Sequence, residues 1–414
     1  MSTENTNTEL VPALRFPEFQ GEWQRKMLGD ISSWASGGTP SKDNSTYWNG
    51  DIPWISASSM HGLEYADSEF KITVEGLKAG SKLAKQGTLL ILVRGSMLFN
   101  RIPIGIVSKD VSFNQDVKSI VVNDYSTSKY ILYWFFASES KILNLVTGTG
   151  IGAGKLDLAD LKGLEISLPA LPEQKRIASF FTVLDQKLTQ LKRKKNLLEQ
   201  FKKGVMQQLF SQELRFKADD GNEFPTWESK KLGELFYSSK GYGLSKDKVI
   251  KNGEYDCILY GELYTKYKEV IFNIVSRTSD QVGLRSEIGD LLMPASTTTT
   301  GIDLANVTAL NKKRVLLGGD ITVLRTDKKI NNIFYAYYLS NHKKEEIANL
   351  AQGSTIVHLY FTHIKELTID CPVYEEQTKI ASFLSAIDEK INQTQTLIQK
   401  TEQYKKGLLQ KMFC

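Results

Sequence analysis

The sequence predicts a mixed α/β fold: two pseudo-symmetric domains and two long antiparallel coiled-coil helices. Three observations carry this. The 414 residues are 41% hydrophobic and 24% charged, a globular composition and enough chain for two to three domains at roughly 100–200 residues each. The chain also matches itself. Residues 169–210 align without a gap on residues 372–413 at an offset of 203, with 17 of 42 positions identical, the mark of a repeated architecture. Finally, apolar residues in both matching segments recur at alternating steps of three and four, the stripe of a coiled coil.

The elements follow in order. Residues 1–168 read as a first variable domain, with strands over Leu89–Val93 and Ser119–Val122 and an aromatic helix over Tyr130–Ala137. Residues 169–210 read as the first long helix, its stripe running through Ile177, Phe181, Leu184, Leu188, Leu191, Leu198, Phe201, Val205 and Leu209. Pro172 and Glu173 suit a helix start, where proline needs no partner and the dipole favours an acid. Residues 211–371 read as a second variable domain, with a strand over Ile321–Leu324 and a helix over Ile333–Leu339. Residues 372–414 read as the second long helix, striped by Ile380, Leu384, Ile387, Ile391, Ile398, Tyr404 and Leu408. Each helix must bury its stripe, against the other copy or against a second chain. Weaker anchors extend the repeat: Trp23 and Leu28-Gly29-Asp30 recur as Trp227 and Leu232-Gly233-Glu234. Between the anchors the halves look unrelated.

Charge is concentrated. The net charge of +5 resolves into −2 over 1–168, +6 over 169–210, 0 over 211–371 and +1 over 372–414. A basic coat over the whole surface is excluded. Nucleic-acid binding would need local patches or a partner to neutralise phosphates. Met1–Thr8 carries neither a basic nor an apolar leader pattern, and no apolar run suits a membrane span. The three cysteines, Cys257, Cys371 and Cys414, are too few and scattered for a disulfide framework. A cytoplasmic protein without a membrane segment is expected.

Several suggestive motifs fail on spacing. Gly148 to Lys155 has Thr149 where a phosphate loop wants glycine and Leu156 where it wants Ser or Thr; a flexible turn is the expectation. Glu173-Gln174-Lys175 resembles a nuclease E-x-K but opens a helix, and Thr378 replaces the lysine in the second copy. His358 and His363 lack a third ligand. No catalytic or metal centre is expected.

The order domain–helix–domain–helix, with Pro-x-x-x-Glu-Gln-x-x-Ile helix starts at Pro169–Ile177 and Pro372–Ile380, resembles the specificity subunit of type I restriction–modification systems. Ser36-Gly37-Gly38-Thr39-Pro40 with Tyr47 to Ile55 looks like the start of one class of target recognition domain, and Tyr255 to Thr265 like the start of another. Ser59 departs from the acid relatives often carry there. The resemblance implies a subunit without enzymatic activity that reads a bipartite site on double-stranded DNA, one half per domain. It implies docking of two adenine methyltransferase subunits that carry S-adenosylmethionine. In complexes that also cleave, it implies restriction subunits that use ATP and Mg. No cofactor is implied on this chain. Because the variable domains differ, the half-sites should differ. The rival reading is a coiled-coil interaction scaffold without DNA specificity.

Base edges are read by polar side chains entering the grooves. The first-domain candidates are Ser36, Gly37, Gly38, Thr39, Ser56, Ser58, Arg94, Ser96, Asn100 and Arg101. Arg94 either projects from a strand edge or pairs with an internal acid. Tyr47, Trp48 and Trp54 either stack on DNA or pack in the core. The second-domain candidates are Lys240, Tyr242, Tyr260, Glu262 and Tyr264, with the hydroxyl run Ser296, Thr297, Thr298, Thr299 and Thr300. Pro294 is expected to end a strand and turn that run outward; the alternative is a solvated turn. Lys192, Arg193, Lys194 and Lys195 either touch spacer phosphates or form the wet face of the helix.

Overall fold

The computed structural model describes residues 10–150 and 152–413. Met1–Thr8 and Cys414, used above for leader and cysteine readings, lie outside them, as does Ile151 of the glycine-rich segment. The long helices span Leu171–Phe210 and Tyr374–Met412. The chain forms two compact units, one running to Lys192 and resuming at Gln395, the other comprising Arg193–Thr394. Each unit thus holds one variable domain, the start of one long helix and the end of the other.

In the first unit the central sheet runs, in spatial order, Ser32–Ser36, Val117–Val122, Leu89–Leu92, Ile104–Val107 and Glu64–Tyr65. A second sheet is built on Trp48–Ile55 running parallel to Val111–Phe113. Leu89 to Leu92 are fully buried, so this strand reads as a continuous apolar run. The aromatic helix Ser128–Ala137 starts at Thr127, whose hydroxyl accepts from the Tyr130 amide. It buries Tyr130 to Phe135.

The second unit repeats this frame where the sequences look unrelated. Its central sheet runs Tyr237–Lys240, Ile321–Arg325, Asp290–Pro294 and Thr308–Leu310. Tyr255–Ile258 runs parallel to Leu316–Leu317, as Trp48–Ile55 does to Val111–Phe113. The predicted helix over Ile333–Leu339 is split: α-helical over Asn332–Tyr337, then a π-turn over Tyr338–His342.

The identical residues of the repeat form the joints between helix and domain. Glu173 is 2% exposed and takes a two-pronged ion pair from Arg15 at 2.7 and 2.8 Å. Glu376, fully buried, takes the same fork from Arg215 at 3.0 and 2.7 Å and the Trp227 indole N–H. The nuclease-like glutamate is therefore committed to structure. Gln174 Oε1 accepts from Ser126 and the Thr127 amide, and Gln377 Oε1 accepts from the Asn331 amide. Each glutamine also donates to the proline carbonyl five residues back. Without these bonds each buried amide would lose roughly 1–3 kcal/mol.

Deeper along each helix is a matched ionic pin. Asp185 accepts from Lys405 and from the Tyr133 hydroxyl. Asp388 accepts from Lys202 at 2.8 Å and from Tyr337. Lys202 adds Glu269 at 3.0 Å and is only 8% exposed in its side chain; among the described residues Lys405 pairs with Asp185 alone. In the first unit the helix segments run antiparallel, Phe181 meeting Phe413 and Leu188 and Leu191 meeting Ile398. Thr394 and Thr401, aligned with Leu191 and Leu198, return their hydroxyls to the carbonyls four residues back.

Candidate nucleic-acid interface

Strand pairing brings distant candidates to one end of each central sheet. In the first domain Ser36 pairs with Lys118, and Val117 with Leu92. The Val93 amide then bonds Asp116, the Asn114 amide bonds Ile55, and the Gly38 amide bonds Phe113. Segments starting at Ser36, Ser56, Arg94 and Asn114 therefore leave the sheets together. In the second domain Lys240 pairs with Thr322 and Pro294 with Ile321. The Gly318 amide bonds Ile258 and the Tyr242 amide bonds Leu317. Segments starting at Lys240, Leu259, Ala295 and Gly318 emerge as the counterpart.

Gly37 and Gly38 serve the backbone. A Cβ at either would lie about 2.1 or 2.0 Å from the carbonyls of Phe113 and Gly80, so these positions admit only glycine. They shape the loop and offer no side chain to a base. Thr39, half-buried, donates to Gln115 Oε1 at 2.6 Å. Ser36 accepts from Lys118 Nζ at 2.7 Å, and Lys118 also donates to the Gln115 carbonyl at 2.7 Å. Burial lowers the Lys118 ammonium's pKa, with Asp116 opposing. Ser56 and Ser58 share a hydrogen bond at 3.0 Å, and Ser59 bonds Ser68.

Arg94 is exposed and forms a two-residue strand with Gly95 against Gly154–Lys155. No ion pair is recorded for it among the described residues, so it projects from a strand edge. The glycine-rich segment is the hairpin that supports it: Thr147–Gly148 pairs with Gly154–Lys155. Ser96, Asn100 and Arg101 are exposed on the following turn, Arg101 bonding the Met60 carbonyl. Trp54 is buried and donates to Gly38, so it packs in the core, while the half-buried Trp48 donates to Ser41 with its ring 5.3 Å from Trp54.

The hydroxyl run corrects the expectation of an outward turn. Pro294 is the last paired residue of its strand, and the chain continues directly into Ser296–Thr297, paired with Val357–His358. Proline lacks an N–H, but the Ala295 amide restores the ladder by bonding Asp320. Ser296 and Thr297 are buried, at 6% and 2% exposure. Ser296 donates to Asp320 at 3.0 Å, Thr297 bonds Thr299, and Thr299 bonds Asp303. Of this run, Thr298 and Thr300 are exposed and make no side-chain hydrogen bond among the described residues.

Glu262 is likewise internal. It is 5% exposed and accepts from the Leu259 amide, Lys266 and Ser276. Tyr260 is exposed, with its ring 6.5 Å from Tyr264. Tyr242 is exposed, and Lys240 lies 3.6 Å from Asp320. On the first long helix Lys192 pairs with Glu402 and Lys195 with Glu199, whereas Arg193 and Lys194 are exposed and form no ion pair among the described residues. Gln115, Lys118 and Asp320 join these sites although no local signal marked them.

No group of three or more His, Cys, Asp or Glu suited to a metal exists among the described residues. His358 instead bonds and stacks on Tyr360. Cys257 and Cys371 are free and buried, burial pushing the Cys257 thiol up to about 11. No helix among the described residues is long and apolar enough to cross a membrane.

A family model described as the type I restriction modification DNA specificity domain matches twice, at residues 20–200 and 225–403. The Escherichia coli type I restriction enzyme EcoR124I/EcoR124II specificity subunit is 34% identical over 174 residues, 42% of this chain and 43% of that protein. The Methanocaldococcus jannaschii MjaIX specificity subunit is 24% identical over 415 residues, covering 94% of this chain and 92% of that one. Among solved structures, the S subunit of a type I restriction–modification system from M. genitalium superposes with a TM-score of 0.63 at 16% identity, over 98% of this chain and 99% of that one. A chain from a structure describing assembly of a type I R-M system gives 0.54 at 16% identity, over 94% and 97%.

Proposed function

Since the chain belongs to the type I restriction modification DNA specificity domain family, we propose that it is the sequence-recognition subunit of a type I restriction–modification complex. It reads an asymmetric bipartite DNA target, one half-site per variable domain. The observation that carries this is the repetition of one backbone frame with unlike side chains at its sheet ends: Arg94, Gln115 and Lys118 in one, Lys240 and Asp320 in the other. Equal frames suit repeated docking on a duplex, and unlike side chains suit unlike base sequences. A scaffold without DNA specificity leaves that combination without a purpose.

The chain supplies recognition and no chemical step of its own. Two adenine methyltransferase subunits dock on it and bring S-adenosylmethionine; restriction subunits with ATP and Mg are further partners. The joints built by Glu173, Gln174, Glu376 and Gln377 hold each domain on its helix start, so base contacts made at the sheet ends are transmitted to a rigid body. Arg193 and Lys194 add sequence-independent phosphate contacts that strengthen binding and weaken with salt.

Methylome sequencing of a host expressing this chain with its methyltransferase tests the proposal. The expected result is methyladenine in a motif of two unlike halves flanking an unread spacer. A single contiguous motif, or none, would contradict it.

A further inference from the structure

We infer that the first domain reads a guanine in its half-site, through the remaining donors of Gln115 and Lys118, whose side chains are held by Thr39 and Ser36. This rests on the DNA-reading role proposed above and adds the identity of one base.

The inference comes from counting donors and acceptors. A glutamine side chain offers one carbonyl oxygen and two N–H donors. The oxygen of Gln115 is engaged by the Thr39 hydroxyl at 2.6 Å. That bond takes one of the oxygen's two lone pairs and orients the amide of this exposed residue, whose two N–H donors remain for a ligand. Lys118 has three donors and no acceptor. Two are spent on Ser36 Oγ and the Gln115 carbonyl, each at 2.7 Å, and one remains. Ser36 accepts from Lys118 and so has its own O–H free to donate. The Val93 amide bonds the Asp116 carbonyl, so Arg94, another pure donor, leaves the sheet at this same end.

In the major groove, guanine alone presents two adjacent acceptors, O6 and N7, whereas adenine pairs N7 with an N6 donor and cytosine shows a donor. An unconstrained glutamine prefers adenine because it supplies both a donor and an acceptor. The Thr39 hydroxyl weighs against that option, because it takes one of the oxygen's two lone pairs and fixes the amide on the protein side. The second domain lacks this set: its sheet end carries Asp320 beside Lys240.

The test uses the assembled complex with its methyltransferase and reads the methylome. Gln115→Glu exchanges the outward donor for an acceptor. It should cut preference for guanine roughly ten- to a hundred-fold at one position of one half-site and leave the other half unchanged. Thr39→Val frees Gln115 Oε1, and the same position should then admit adenine beside guanine. A third arm needs no variant: wild-type complex bound to duplexes with 7-deazaguanine, which lacks N7, should lose affinity at that position alone. A bipartite motif with no guanine at the Gln115-dependent position, or uniform weakening by Gln115→Glu, overturns this inference while sparing the functional proposal. Indifference to 7-deazaguanine throughout does the same. A wild-type complex with no bipartite motif overturns both.

Discussion

Arg94 and Ser296 occupy equivalent places in the two domains. Each opens a two-residue strand, against Gly154–Lys155 and Val357–His358 respectively. The chain following the partner strand bonds back identically, Leu156 to Val93 and Leu359 to Ala295. Yet Arg94 is exposed and Ser296 is buried, donating to Asp320. The frame has been kept and its outward chemistry exchanged. At the helix joints the reverse holds: Arg15–Glu173 and Arg215–Glu376 are the same device twice. Within one chain, the residues that repeat build the helix joints, and those that differ change what each sheet end exposes.

The ionic pins give this contrast its largest expected effect. Lys202 balances Asp388 and Glu269 at 8% side-chain exposure, whereas Lys405 meets Asp185 at 14%. Removing one partner of a buried pair costs about 3–5 kcal/mol because a charge is left uncompensated. Lys202→Met should therefore destabilise its unit by about that amount, and Lys405→Met by less. Hydrogen exchange resolved by peptide would show the difference; equal loss in both units would break the comparison.

Acid should separate the units in the same sense. Burial pushes the Glu269 carboxyl up, but Lys202 and the Asn341 amide outweigh it and hold the group below its ordinary 4.5. A depressed carboxylate contributes stability above its unfolded pKa and loses it as pH falls through the folded value. The second unit should thus loosen as pH drops below about 4.5, and Glu269→Gln should flatten that dependence. An unchanged acid profile in exchange measurements would count against the pin.

Smaller effects sharpen the division between scaffold and surface. Glu262→Gln weakens three internal hydrogen bonds and should cost about 1–3 kcal/mol while leaving the methylated motif intact. A changed motif would return Glu262 to the reading surface. Ser296→Ala should cost about 1 kcal/mol without altering specificity.

The long helices were legible from sequence because a coiled-coil stripe is local and because the chain carries two copies to compare. The strands Leu89–Leu92 and Ile321–Arg325 were legible as apolar runs. Shared topology between the domains was not, because ladders join residues far apart: Ser36 meets Lys118 across 82 positions. Gln115, Lys118 and Asp320 sit at strand starts, with no motif of their own. The hydroxyl run misled for a related reason. Composition marked Ser296 to Thr300 as polar, but strand alternation and Asp320 decide which hydroxyls are free.

The central claim is that each domain reads its own half-site. The most direct measurement is the methylome of a host carrying the methyltransferase with one of three chains: wild type, Arg94→Ala, or Thr298→Ala with Thr300→Ala. The account predicts a bipartite motif in which the first change relaxes one half and the second relaxes only the other, each lost base contact costing about 1–3 kcal/mol. Uniform loss of methylation in both variants, or relaxation of the same half by both, would contradict it.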